Sequence, residues 1–196
     1  MKFSNHDELF TAYVNRSDPK HKPRKVGRYW ATDCYKIKKG YLTPENFFTK
    51  SHIDVKGTKM ILAGIMAEDM LSKIYKGMEV DCKAGENQVK QIIQITDEIE
   101  LVVKPDFVFK DKVIETKFPF ASHKTGEIPD RYKDQLECEY QLLKLPTYAG
   151  FFSIPFDIEL VAYSPSERRW GNICKNLISF DKDLRLFCES HPKPIS

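Results

Sequence analysis

Between Glu79 and Phe118 the chain alternates short apolar runs with short polar breaks. The runs are MEVDC, VKQIIQI, EIELVVKPDFVF and KVIETKF, separated by Gly85-Glu86-Asn87, Thr96-Asp97 and Lys110-Asp111-Lys112. β-Branched and aromatic runs of this length, joined by tight turns, predict an antiparallel meander. On either side the period changes from two to about 3.6. Residues 58–76 carry an apolar stripe of Ile61, Ile65, Leu71 and Tyr75, and residues 129–144 carry Tyr132, Leu136, Tyr140 and Leu143, so both are expected to be helices. Two more strands are expected in TYAGFFSI and FDIELVAY, followed by a helix or two that start at the capping sequence Ser164-Pro165-Ser166-Glu167 and end at Ser190. Nearer the N-terminus, residues 1–28 predict loops with a short helix, Thr32 caps a helix to Gly40, and Thr43-Pro44-Glu45 opens a turn. Helix, strands, helix, two strands and helix in that order imply an α/β fold, a central sheet flanked by helices.

Composition narrows the class. With 196 residues the chain is expected to be one domain, 41% apolar and 30% charged, ordinary for a globular protein. No run approaches the length of a membrane span. The opening MKFSNHDELF lacks a signal-peptide apolar core, so the expected location is the cytoplasm, or the host-cell cytoplasm if the chain is viral. The net charge of +3 says little, but its distribution is uneven. Between Arg16 and Lys39 nine lysines and arginines face two aspartates, with Tyr29, Trp30 and Tyr35 interleaved. This reads as a basic N-terminal arm over about residues 1–40, either a phosphate- and base-contacting segment or a solvated one. Five cysteines without C-x-x-C spacing argue against a zinc knuckle or disulfide framework.

Some polar residues fall where the pattern calls for apolar ones. Asp106 lies in one run and Glu115 and Lys117 in the next, joined by a short turn. Antiparallel pairing would bring all three to one face. Two neighbouring carboxylates take up a proton unless a cation neutralises them, and Mg²⁺ or Mn²⁺ prefers such oxygen ligands. The alternative is a surface hairpin whose charges face water. Glu68 adds weight to the first reading, because it falls inside the apolar stripe of its helix, where an acid is costly unless paired or bound to metal. Gly64, one turn earlier, would let that helix approach the sheet closely. Gln135 lies beside the stripe of the later helix, in line with Cys138 and Leu142. Lys36, Lys38, Arg131 and Lys133 are candidate phosphate contacts. His52 and His123 flank the site segments without forming a pair at ligand spacing.

GIMAEDMLSKIY (64–75), PDFVFKDKVIETKFPF (105–120) and RYKDQLECEYQLL (131–143) together present a helical acid, an Asp, a Glu-x-Lys and a helical Gln in order. This set resembles the PD-(D/E)XK nuclease superfamily, and within it the RecB-like and lambda/YqaJ-type exonuclease branch, over about residues 30–160. The resemblance implies a restriction-endonuclease-like core and Mg²⁺ or Mn²⁺ held by Glu68, Asp106, Glu115 and the carbonyl of Thr116. It further implies that Lys117 orients the attacking water, that Gln135 is the motif glutamine, and that cleavage leaves a 5′-phosphate. The expected activity is a deoxyribonuclease acting on single-stranded or duplex DNA ends in recombination, repair or viral or phage DNA processing. An endonuclease or a non-catalytic nucleic-acid-binding subunit are the alternatives. A homo-oligomer or a recombination partner protein fits this branch; a membrane does not. Three departures stand out. An acid replaces the histidine common in RecB-like enzymes. Tyr140 follows Gln135 by five residues rather than four, which puts its DNA-contacting role in question. Cys34, Cys174 and Cys188 do not complete the four-cysteine set of the CRISPR-associated relatives, so no iron–sulfur cluster is expected.

Overall fold

The computed structural model describes residues 24–49, 55–84, 90–118, 126–153 and 157–191. The elements are β1 (Arg28–Trp30), α1 (Ala31–Lys38), α2 (Val55–Gly77), β2 (Cys82–Ala84), β3 (Gln91–Thr96), β4 (Ile99–Val103), β5 (Phe107–Phe109), β6 (Val113–Lys117), α3 (Asp130–Leu143), β7 (Thr147–Ser153), β8 (Asp157–Ala162) and α4 (Glu167–Ser190). The α/β expectation holds: mixed sheets are flanked by helices.

The strands do not form one meander. They divide into a three-stranded sheet, β1-β4-β3, and a five-stranded sheet, β2-β5-β6-β7-β8. The run EIELVVKPDFVF, expected to be one strand, breaks at Lys104-Pro105-Asp106, and its halves, β4 and β5, join different sheets. Proline has no N–H for a ladder, so a central strand cannot pass through Pro105 unbroken. In the larger sheet β6 and β7 are parallel, joined by α3, while the other neighbours are antiparallel. Its two faces are covered by different helices. Phe107, Ile114 and Phe152 pack against Ala67 and Leu71 of α2, and Ala149 and Phe151 pack against Leu136 of α3. At the centre, a Cβ on Gly150 would lie 3.1 Å from Ile114 Cγ2, so β7 carries no side chain where its neighbours crowd closest.

The segment read as a basic arm belongs largely to the fold from Arg28 onward; residues 1–23 lie outside the described residues. β1 runs parallel to β4, and Tyr29 is fully buried against Phe47 and Phe180 rather than offered to a base. The lysines of this stretch are punctuated by apolar Tyr29, Ala31 and Cys34, all in the core. Helix α1 begins one residue before Thr32. Trp30 is its cap position, and the Asp33 carboxylate accepts from the Trp30 amide at 3.0 Å while gripping Arg24 with both oxygens. At the other end of the chain, Ser166 caps α4 by accepting from Arg169 N at 3.2 Å, which leaves Pro165 outside the helix rather than at its first position.

Candidate active site

The bend at Pro105-Asp106 sets the geometry of the acids. Phe107 pairs with Ile114 and Val108 with Val113, so the next step of the register places Asp106 opposite Glu115. Asp106 is therefore not a strand residue, as its run suggested, but stands where β5 begins. Its amide donates to Glu115 Oε2 at 3.3 Å, and its Oδ2 accepts from Thr116 N at 2.8 Å and Thr116 Oγ1 at 2.7 Å. The Thr116 amide and hydroxyl thus hold the Asp106 carboxylate in place. The family resemblance implied a role only for the Thr116 carbonyl.

Lys117 completes the cluster two residues along the same strand. Its Nζ lies 2.6 Å from Glu115 Oε1 and donates to Gln135 Oε1 at 3.0 Å. The Gln135 amide nitrogen donates back to Glu115 Oε1 and also to Glu139 Oε1, the latter at 3.1 Å. The ammonium also sits 5.2 Å from the centre of the Tyr132 ring. Lys117 keeps 16% of its side chain accessible and Glu115 only 4%, so the site opens to solvent at the lysine. Glu139 was not foreseen. The signal was present as Gln-x-x-x-Glu, the i,i+4 spacing that brings two helical side chains into contact.

Electrostatics reveal an excess of acid. Burial, and then the charge of Glu115, push Glu68 on α2 up to about 7, with Lys117 and Lys104 only partly offsetting this. Burial, followed by Glu115 and Glu68, holds Asp106 well above the usual carboxylate range. Glu139 is raised well above its ordinary value by burial and Glu115. For Lys117 burial acts in the opposite sense, but Glu115, Asp106 and Glu139 outweigh it and raise the ammonium. One ammonium faces four acids, a donor set of hard oxygens that suits a small divalent cation. Among the described residues no three acidic, thiol or imidazole groups already surround a common point, since Glu115 is held by Lys117, Gln135 and the Asp106 amide.

These shifts give a pH dependence. Between pH 4.5 and 7 folded Glu68 holds a proton that the unfolded chain has released, so stability falls as pH rises through this window. In metal-free buffer Glu68→Gln is expected to match wild type below pH 4.5. Above pH 7 it should be more stable, on the order of 2 kcal/mol after solvent screening. Thermal melts of both proteins across pH 4–8 would show a constant difference if Glu68 does not titrate as described.

The other candidates are placed as follows. Lys38 is engaged with Asp130 at 3.1 Å and Asp134 at 3.6 Å and so ties α1 to α3, while Lys36 is exposed. Arg131 is exposed and lies over Tyr132 at 4.7 Å; Lys133 is half-buried. Tyr140 lies beneath Lys144, 5.4 Å from its ammonium, and the residue one helical turn after Gln135 is Glu139. Gly64 does not serve close packing, because a Cβ there would meet nothing within 4 Å. His52 and His123 lie outside the described residues. Cys34 and Cys138 are buried with their sulfurs 3.9 Å apart, and every cysteine is free.

No family model matches the chain, and no curated protein matches it. Among the described residues no helix is long and apolar enough to cross a membrane. The chain is similar to solved structures, among them SSO0001 and LHK-Exo. The crystal structure of SSO0001 has a TM-score of 0.62 at 12% identity, covering 98% of this chain and 90% of that one. The crystal structure of LHK-Exo in complex with dAMP has a TM-score of 0.57 at 11% identity, covering 84% of this chain and 91% of that one. At such identities the likeness is one of fold, a mixed α/β fold consistent with a restriction-endonuclease-like core.

Proposed function

We propose that this chain is a metal-dependent deoxyribonuclease, an exonuclease acting on single-stranded or duplex DNA ends in recombination, repair or viral or phage DNA processing. The observation that carries the reading is the Lys117 ammonium, held between Glu115 and Gln135 at the open side of a buried acidic cluster. The likeness of fold to LHK-Exo, an exonuclease crystallised with dAMP, supports it.

In this reading Glu68, Asp106, Glu115 and the Thr116 carbonyl would hold Mg²⁺ or Mn²⁺, which when bound would supply the positive charge that the crowded carboxylates lack and activate water. The protein's own groups do the rest. The Thr116 amide and hydroxyl fix the rotamer of Asp106. Lys117, anchored by Glu115, donates toward the water and the scissile phosphate, and stabilises the charge that develops there. Gln135 keeps the ammonium from swinging away. The water oxygen bonds to phosphorus as the P–O3′ bond breaks, and the products are a 3′-hydroxyl, which takes up a proton from the water, and a 5′-phosphate. Arg131 and Lys133, at the start of α3, are the proposed phosphate contacts, with Lys36 beyond them. Lys38 contributes only by leaving its acidic partners, and Tyr140 only by leaving Lys144.

The direct test is digestion of end-labelled linear single- and double-stranded DNA, beside circles, with Mg²⁺, Mn²⁺ or EDTA. Metal-dependent loss of linear DNA with circles spared supports the exonuclease. Cut circles would make it an endonuclease, and a salt-sensitive gel shift without cleavage would make it a binding subunit. Asp106→Asn separates the metal role from the fold. It keeps an oxygen for Thr116 but removes a charge, so Mg²⁺ affinity by calorimetry is expected to fall 10-fold or more, roughly the loss of a charged hydrogen-bonding partner. Because folded Asp106 keeps its proton to higher pH than the unfolded chain does, the metal-free variant should match wild type below about pH 3.8 and become progressively more stable than it as pH rises. Unchanged Mg²⁺ affinity would remove Asp106 from the metal site.

A further inference from the structure

We propose that Glu139 is a positioning residue that acts through Gln135 to aim the Lys117 ammonium, an inference that rests on the reading of this cluster as the active site. Glu139 is fully buried, yet it faces the catalytic cluster from one helical turn beyond Gln135. Its Oε1 accepts from Gln135 Nε2 at 3.1 Å, while its Oε2 has no hydrogen-bond partner. A buried carboxyl with one unsatisfied oxygen is a poor choice for stability, and a leucine or methionine would fill the same space without desolvating a polar group. The presence of an acid therefore needs a reason other than packing.

The Gln135 side chain supplies that reason. A primary amide is nearly symmetric in shape, and only its partners decide which end is oxygen and which is nitrogen. Two acceptors, Glu115 Oε1 and Glu139 Oε1, lie at the nitrogen end, and one donor, Lys117 Nζ, lies at the oxygen end. Turning the amide over would set three oxygens together and leave an NH₂ group facing an ammonium. Without Glu139 only Glu115 enforces the choice at the nitrogen end, and Glu115 is the group that a divalent cation would draw away. Glu139, on the same helix as Gln135, does not depend on the cation. It would keep the amide oxygen on Lys117 if a cation drew Glu115 away.

Three variants and two readouts test this. Glu139→Leu is expected to fold and to melt no lower than wild type, with kcat for linear DNA down about 10- to 100-fold, the usual loss for a supporting hydrogen-bond partner. KM for DNA and Mg²⁺ affinity should stay within about twofold, as a positioning role predicts. Glu139→Gln, which retains an oxygen acceptor, should recover kcat to within a few-fold of wild type. Glu139→Asp keeps the carboxyl group but withdraws the oxygen by one methylene, and should show the loss of the leucine variant even if that variant fails to fold. The second readout does not involve cleavage. The side-chain NH₂ pair of Gln135, assigned by its disappearance in Gln135→Leu, should shift and exchange faster with water in Glu139→Asp and Glu139→Leu, and stay in place in Glu139→Gln. Wild-type kcat in both Glu139→Leu and Glu139→Asp, an unmoved Gln135 NH₂ pair, or a fall in Mg²⁺ affinity of 10-fold or more would each overturn the assignment. If wild type cleaves no DNA while the Gln135 signal responds as expected, the nuclease reading fails and the Glu139–Gln135 contact stands.

Discussion

Lys117→Ala is expected to lose about 10³-fold in the single-turnover rate of DNA cleavage, the loss typical of removing one fixed donor from a developing oxyanion. The size follows from the setting of the ammonium. It lies 2.6 Å from Glu115 and 3.0 Å from Gln135, and the acids around it raise its affinity for its proton. A cation held this firmly does not have to be ordered during the reaction, so its removal forfeits nearly all of its effect on the transition state. Mg²⁺ affinity is expected to hold or rise slightly, because Glu115 loses a competing partner. DNA affinity should change little, since one buried lysine adds little to binding along a phosphate backbone. Lys117→Arg should not rescue the rate, because a planar guanidinium cannot replace a compact ammonium between a carboxylate and an amide oxygen. The metal-free alanine variant, with four acids and only the exposed Lys104 to offset them, should also lose stability more steeply than wild type as pH rises. A cleavage rate within tenfold of wild type would remove Lys117 from the mechanism.

Much of this site was legible because its residues violate a pattern. Asp106, Glu115 and Lys117 interrupt apolar runs, and Glu68 interrupts a helical stripe; a charge in such a place needs a partner, and in the fold the partners are one another. Even the error about the strand left the pairing intact, because the register of β5 with β6 brings Asp106 opposite Glu115 whether or not the chain is extended through Pro105. What was not legible was polar burial on α3. Asp134, Glu137 and Glu139 are all buried, though acidic side chains ordinarily face solvent. Two of them are compensated from far along the chain, Asp134 by Arg169 at 2.5 Å and Glu137 by Tyr163 Oη at 2.6 Å and Ser166 N at 2.9 Å, whereas Glu139 meets Gln135 one helical turn away. No local rule places a donor 35 residues away. The same holds for Tyr29 and Lys38, which look like nucleic-acid contacts in a basic stretch and instead join β1 and α1 to the core.

The second large effect is on stability, at a point remote in sequence from the acidic cluster. Asp181 on α4 is almost fully buried, and its carboxylate collects three donors: Gly27 N at 2.9 Å, Tyr29 Oη at 2.5 Å and Arg185 Nε at 2.6 Å. Gly27 and Asp181 are 154 residues apart, so this carboxylate fastens the start of β1 to the last helix. Gly27 is itself fixed, with φ at +79° and its Cα facing the Glu98 carbonyl so closely that no Cβ fits, while its own carbonyl accepts from Glu100 N at 2.7 Å. Asp181→Ala removes the acceptor shared by the buried Tyr29 hydroxyl and the Gly27 amide and leaves them only each other; Arg185, 40% exposed, turns to Glu98 and water. Taking the shared acceptor from two buried donors and opening a small void is expected to cost about 3–5 kcal/mol. For a chain of this size that lowers the melting temperature by roughly 10 °C. Asp181→Asn keeps an oxygen for Tyr29 and should lose less than half as much. In Tyr29→Phe the aspartate keeps Gly27 and Arg185, so the cost should be about 1–2 kcal/mol. Because the alanine variant already lacks the Tyr29–Asp181 bond, the double variant should lose less than the sum of the two, giving a coupling of about 1 kcal/mol or more. Additive losses, or a drop of less than about 3 °C for Asp181→Ala, would mean that β1 is held by the packing of Tyr29 against Phe47 and Phe180 and not by the carboxylate.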